Sequence, residues 1–134
     1  MKNLFILFAI FYTAILSAQD KPGKLRIVPG FLSNKYEIGD KTTRPKLVEA
    51  HLKTHDPDAY HQWKNANKSD LNGAIFGIIG LTGLATGIFA SNNELQLSGY
   101  GLAVVGLSGQ IVCLINSQKR RTKSINSYNS KFGY

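Results

Sequence analysis

Two long runs without a charged residue constrain this chain more than any other feature. No Asp, Glu, Lys or Arg lies between Asp70 and Glu94, and none lies between Glu94 and Lys119. A helix needs roughly 20 apolar residues to cross the hydrocarbon core of a bilayer, which is about 30 Å thick. Each run is long enough for one crossing, and only the short polar bend at residues 91–98 separates them. The pattern predicts a mainly α protein with a hairpin of two transmembrane helices over residues 71–117.

Small residues recur at helical spacing in both runs. Residues three and four apart share one side of a helix, and small residues there let two backbones approach closely, which drives helix association in lipid. The spacing therefore predicts close packing, either between the two helices of one hairpin or between hairpins of different copies. The predicted packing positions are Gly73, Gly77, Gly80, Gly83 and Gly87 in the first run and Gly99, Ala103, Gly106 and Gly109 in the second.

The first 18 residues have the layout of a signal peptide. Lys2 is followed by an apolar run at residues 4–16 and by the small residues Ser17 and Ala18, which predicts cleavage and export, with an uncleaved anchor as the alternative. Export places both flanks of the hairpin on the non-cytoplasmic side of a bacterial envelope membrane. The preference of Lys and Arg for cytoplasmic loops predicts the opposite side. We give precedence to the signal peptide because it acts first.

Residues 19–70 are expected to form a small exported head, and its first half is typical of strands. Short apolar patches separated by Pro and Gly predict strands at Leu25–Val28 and Lys35–Ile38, with a turn at Gly39-Asp40. A two-stranded hairpin is only marginally stable in water, so these strands need something to pack against.

Two short helices are predicted to follow in the head. Thr43 is a candidate cap before Pro45, and Asp56 is a candidate cap before Pro57, because Pro suits the first turn of a helix. A head of this size buries little surface and needs support from the membrane or from a second copy. The predicted core between the two helices consists of Leu47, Val48, Leu52, Tyr60 and Trp63.

Aromatic and basic residues flank both apolar runs and predict anchors in the lipid head-group layer. Trp63 has an alternative interpretation as a core residue of the head. The basic C-terminal tail at residues 118–134 contains no acid, and a docking site for an acidic partner is the alternative there. The net charge of +8 does not indicate nucleic acid, because no known reader fold accompanies it. The predicted anchors are Tyr60, Trp63, Lys64, Lys68, Lys119, Arg120 and Arg121.

The sequence offers little chemistry. His51 and His55 are four residues apart, with Asp58 and His61 nearby, and this spacing makes a metal-binding head one alternative function. The spacing often occurs by chance, so we predict no metal and no cofactor. No nucleophile motif or phosphate-binding loop is recognisable, which indicates a protein that is not an enzyme.

Two residues inside the second run remain. Gln110 is its one strongly polar side chain, and it is placed to donate a hydrogen bond across the helix pair or to line a small oligomeric channel. Cys113 is the only cysteine, so it forms no internal disulfide and is interpreted as a small packing residue.

The order of features resembles a family of small uncharacterised bacterial envelope proteins with a signal peptide, a short α+β head and two glycine-rich transmembrane helices. The resemblance implies this architecture but no activity. The predicted partners are the lipid bilayer and a second copy or another membrane protein. The residues that carry the resemblance are 36–41, 47–52, Pro57-Asp58-Ala59-Tyr60, 63–68 and Tyr128-Asn129.

Overall fold

The chain is mainly helical and carries one small sheet, as the sequence predicts. The computed structural model describes residues 22–30 and 34–134, so the predicted signal peptide lies outside the described residues. The elements, in chain order, are β1 (Leu25–Val28), β2 (Lys35–Ile38), β3 (Lys41–Thr43), α1 (Pro45–His55), α2 (Pro57–Phe89) and α3 (Asn93–Phe132).

The sheet is an antiparallel meander in the order β1-β2-β3. Both predicted strands have the predicted bounds, and Gly39 reverses the chain between β2 and β3 with a φ of 62°. Glycine tolerates this left-handed backbone because it has no Cβ. The prediction that Thr43 caps α1 is wrong, because Thr43 pairs with Tyr36 as the last residue of β3. The N-cap is Arg44, and its side chain makes no capping bond.

Asp56 separates α1 from α2. As predicted, its carboxylate caps α2, accepting hydrogen bonds from the backbone N–H groups of Asp58 and Ala59 at 3.2 and 3.3 Å. The Lys131 ammonium lies 3.4 Å from the same carboxylate, so the C-terminal end of α3 supports this corner of the head.

The two long helices do not stop where the apolar runs stop. The second short helix of the head and the first run are one helix of 33 residues, and the second run and the tail are one helix of 40 residues. At 1.5 Å per residue these helices are about 50 and 60 Å long. No proline follows Pro57, so nothing in the sequence forces a break. The side chain of Asn92 caps α3, which ends at Gly133 with a φ of 72°.

One core holds the head together, and the C-terminal tail is part of it. Of the predicted core residues, Val48, Leu52 and Trp63 are fully buried, and Tyr60 packs against them partly buried. Leu47 is 57% exposed, so its assignment to the core is wrong: it lies on the solvent side of α1, beside Val48. The remaining core residues come from the sheet, from α2 and from the tail: Leu25, Tyr36, Ala59, Ile125 and Tyr128.

Candidate functional site

An apolar sheath surrounds residues 71–117, which we call the hairpin segment. Of the residues in the most apolar stretch of α2 only 28% are buried, and in α3 only 17%. Both stretches are long and apolar enough to cross a membrane. The large side chains of a core helix in a soluble protein would be covered, whereas these point outward. Ile78, Leu81 and Val104 are 66%, 64% and 66% exposed.

The inner face of the hairpin segment is a seam in which the two backbones touch. A Cβ on Gly83 would lie 2.5 Å from the backbone nitrogen of Ala103, and a Cβ on Gly99 would lie 2.4 Å from that of Gly87. At Gly106 the Cβ would lie 2.3 Å from the nitrogen of Gly80. Real Cβ atoms essentially never approach backbone so closely. The predicted small faces therefore meet each other within one hairpin.

Side chains complete the seam at the other glycines. A Cβ on Gly77 would lie 3.0 Å from the amide of Gln110, and one on Gly109 would lie 2.7 Å from the ring of Phe76. A Cβ on Gly73 would lie 3.1 Å from the Cβ of Cys113, so this cysteine packs against α2 as predicted. Among the described residues Gln110 makes no hydrogen bond to α2, and its amide packs over Gly77 instead.

Where the hairpin segment joins the head, Arg121 of α3 reaches into the protein. Its guanidinium forms an ion pair with Asp70 of α2. Nη2 also donates to Oδ1 of Asn67 at 3.1 Å, and Nη1 donates to the hydroxyl of Tyr36 at 3.3 Å. Charge-assisted bonds of this kind are stronger than neutral ones. One side chain thus ties α3 to α2 and to β2.

This junction continues into the head. The Arg121 guanidinium carbon lies 5.3 Å from the ring centroid of Trp63, and Asn67 donates to a carboxylate oxygen of Glu49 on α1 at 3.2 Å. The rings of Trp63 and Tyr36 pack in a T-shaped arrangement with a centroid distance of 5.2 Å and an interplanar angle of 72°. The position of the head relative to the hairpin segment is therefore fixed by polar and aromatic contacts together.

The predicted anchors differ in how far their side chains are exposed. Trp63 is completely buried and Arg121 is held by Asp70, so neither side chain is free to reach a head-group layer. For Trp63 the alternative interpretation, a core residue of the head, describes its position. Tyr60 is half-buried against the core. The exposed anchors are Lys64, Lys68, Lys119 and Arg120.

Each of the three histidine rings makes a polar contact with another group of the protein. Nε2 of His51 lies 2.6 Å from the hydroxyl of Tyr128, Nδ1 of His55 is 2.9 Å from the carbonyl oxygen of His51, and His61 bonds to Asn65. Residues 22–30 and 34–134 contain no group of three or more His, Cys, Asp or Glu side chains that could hold a metal ion.

Burial perturbs the His51 and Tyr128 pair. It lowers the pKa of His51, and the neighbouring His55 lowers it further. Burial also raises the pKa of Tyr128 to about 12, with smaller contributions from Tyr134 and Asp56. At neutral pH the phenol is therefore protonated and donates to the carbonyl oxygen of Gly23 at 3.3 Å. The pair is a part-buried structural contact between α1 and the tail.

Sequence reasoning missed the residues that attach the tail to the sheet. The Asn129 amide donates to the carbonyl oxygen of Leu25 at 2.8 Å and accepts from its N–H at 3.0 Å, so it replaces a neighbouring strand at the edge of β1. The hydroxyl of Ser124 donates to the carbonyl oxygen of Ala59 at 2.6 Å. Of these residues, the sequence marked only Asn129, as part of the Tyr128-Asn129 pair in the family resemblance.

Comparison of the chain with protein-family models, with curated proteins and with solved structures finds no match.

Proposed function

We propose that this chain is a non-enzymatic membrane protein of the bacterial envelope, whose hairpin segment crosses the bilayer and fixes the head at one membrane face. The observation that carries the proposal is the sidedness of the hairpin segment. Small residues face inward, where Gly80 meets Gly106, while large apolar side chains such as Leu81 and Val105 face outward. Water provides no favourable partner for such a sheath, whereas hydrocarbon does.

The dimensions support the same proposal. Residues 71–89 of α2 measure about 28 Å along the helix axis, close to the roughly 30 Å of a hydrocarbon core. The ion pair of Arg121 and Asp70 lies at the boundary of this stretch, and Glu94 lies beyond its other end. Charged groups are thus absent along the length of one bilayer core.

The antiparallel hairpin brings the head and the tail to one side of the proposed membrane. We propose the non-cytoplasmic side, because the predicted signal peptide would export the residues that follow it. We also propose that assembly with a second copy or another membrane protein uses the outward face, since the glycines are occupied within the hairpin. The channel remains an alternative, but the packing of the glycines and of the Gln110 amide over Gly77 within one hairpin favours the proposal made here over it.

A lysine at an outward position tests membrane insertion. Val105 lies near the middle of the second apolar run and is 62% exposed. In a bilayer, Val105→Lys would place a charge near the centre, which costs about 2.5–3.5 kcal/mol on insertion scales. We expect it to reduce the carbonate-resistant membrane fraction, whereas Leu47→Lys in the head, at a site 57% exposed, leaves that fraction unchanged.

Two observations together would contradict membrane insertion. If the wild-type chain stays in the supernatant without detergent, and Val105→Lys is as soluble and as folded as the wild type, the hairpin segment is not in lipid. If the chain is in the membrane, protease protection in sealed vesicles tests on which side the head lies. Cleavage of the head from the cytoplasmic face would overturn the proposed orientation.

A further inference from the structure

We propose that a groove on α3, at the head end of the hairpin segment, binds the phosphate of an anionic phospholipid. This inference rests on the proposed membrane insertion and adds a lipid class and a site to it. The groove follows one face of the helix from Ile115 through Lys119, Thr122 and Lys123 to Asn126. It therefore begins beside an apolar side chain and continues between two cations and a hydroxyl.

The depth of these residues fits the head-group layer. Taking Gln118 as the last residue of the uncharged run, Lys119 and Lys123 lie about 1.5 and 7.5 Å further along the helix axis. The head-group region adds roughly 5–8 Å on each side of the hydrocarbon core. Both ammonium groups can therefore reach phosphates, while Ile115, 48% exposed, remains at the level of the acyl chains.

The charge along the groove is basic. Among residues 22–30 and 34–134 no carboxylate lines it, and α3 contains no acidic residue after Glu94. A second groove shares Thr122 and Asn126 with it and extends along the edge of β1 past Arg26. Arg26 is the cross-strand partner of Glu37, but the two make no ion pair among the described residues. The excess of cations along the two grooves favours an anion as the ligand.

Arg121 shows by contrast which cations are available. It belongs to the same basic cluster in the sequence, yet it turns inward to Asp70 and its side chain is only 20% exposed. Lys119 and Lys123 remain exposed on the outer face. We assign the lipid phosphate to these two lysines because the groove is continuous with the apolar sheath, as a lipid requires and a soluble acidic protein does not.

The test uses the full chain, purified in a zwitterionic detergent, and follows its melting temperature as phosphatidylglycerol is titrated. Each lysine near an anionic lipid surface contributes about 1 kcal/mol, so Lys119→Gln with Lys123→Gln should weaken the apparent affinity roughly 30-fold. The matched control is Lys41→Gln with Lys53→Gln, which removes the same charge from exposed sites. Lys53 lies in the last turn of α1. Lys41 is the first residue of β3 and pairs with Ile38, which pairs with Leu25 on the other side of the sheet. Both lysines are therefore at the end of the head that is remote from the hairpin segment.

The expected result is saturable stabilisation by phosphatidylglycerol, none by phosphatidylcholine, and a loss confined to the groove variant. Equal losses in both variants would overturn the site, because they would indicate attraction by net charge alone. Stabilisation by inorganic phosphate at the same concentration would overturn the lipid as its ligand. Saturable stabilisation by a soluble acidic peptide instead of phosphatidylglycerol would do the same. Carbonate extraction separates this failure from failure of the proposed function: a chain that remains in the membrane without lipid preference refutes only the groove.

Discussion

Gly106→Ala is the sharpest test of the seam, because one methyl group would meet three backbone atoms. The new Cβ would lie 2.3 Å from the nitrogen of Gly80, 2.5 Å from its Cα and 2.7 Å from the carbonyl oxygen of Phe76. Backbone atoms cannot move aside by changing a rotamer. Ordinary contact begins near 3.4 Å, so the two helices must separate locally by roughly 1 Å.

The cost of that separation can be estimated. A radial gap of up to 1 Å forfeits about a quarter to a half of the dispersion energy of each affected contact, and overpacking typically costs about 1–3 kcal/mol. Alanine returns up to about 1 kcal/mol through its higher helix propensity. We therefore expect Gly106→Ala to lower the free energy of unfolding by about 1–2 kcal/mol.

The same helix provides the control. Within the part of the chain that the structure describes, a Cβ on Gly101 meets nothing within 4 Å, so Gly101→Ala keeps the propensity gain and should be neutral or stabilising by up to about 1 kcal/mol. At Gly109 the obstacle is the ring of Phe76, which can rotate, so an intermediate loss is expected. Circular dichroism during titration of mixed micelles with dodecyl sulfate measures the three variants. Equal effects at Gly106 and Gly101 would refute the intramolecular seam.

Four further predictions concern the head. Arg121→Ala should destabilise it by about 1–3 kcal/mol, between the values for exposed and for buried ion pairs, because the side chains of Arg121 and Asp70 are 20% and 33% exposed. If Asp70→Asn in that background restores no stability in denaturant titrations, the ion pair is not the cause. Trp63→Ala should cost about 3–5 kcal/mol by chemical unfolding because it empties the core, and a loss below about 1 kcal/mol would argue against that burial. The pKa of His51 is lowered below 6.5 in the folded chain, so the unfolded chain binds the proton first and the free energy of unfolding should fall as the pH drops below 6.5. The unfolding midpoint of His51→Gln should lose this dependence on pH. The raised pKa of Tyr128 should make stability fall as the pH rises from 10 towards 12, and thermal melts of Tyr128→Phe that keep the full alkaline loss would contradict the assignment.

Much of the local structure follows from the sequence because its causes are local. Asp56 caps α2 through its own carboxylate and Pro57 suits the first helical position, and Gly39-Asp40 forms the turn between two strands. The small residues at steps of three and four predict a close approach of helices for the same reason, since helix geometry alone places them on one side.

The partners across those faces required the tertiary structure. The spacing of small residues on one helix does not identify the backbone that packs against them. The pattern in the two runs therefore allowed contacts within one hairpin or between copies. The structure places Gly83 against Ala103 in the same chain. The basic cluster shows the same limit, because three adjacent cations look alike in sequence while only Arg121 has Asp70 within reach.

The sequence by itself determined that a helix starts at Pro57, which stretches avoid charge and which side of each long helix is small, because capping, propensity and periodicity act over a few residues. The tertiary structure decided that the tail belongs to the head, with Tyr128 buried and Asn129 closing the edge of β1. Those contacts join residues more than 100 positions apart in the chain. They depend on the length and the direction of two helices together, which no local pattern encodes.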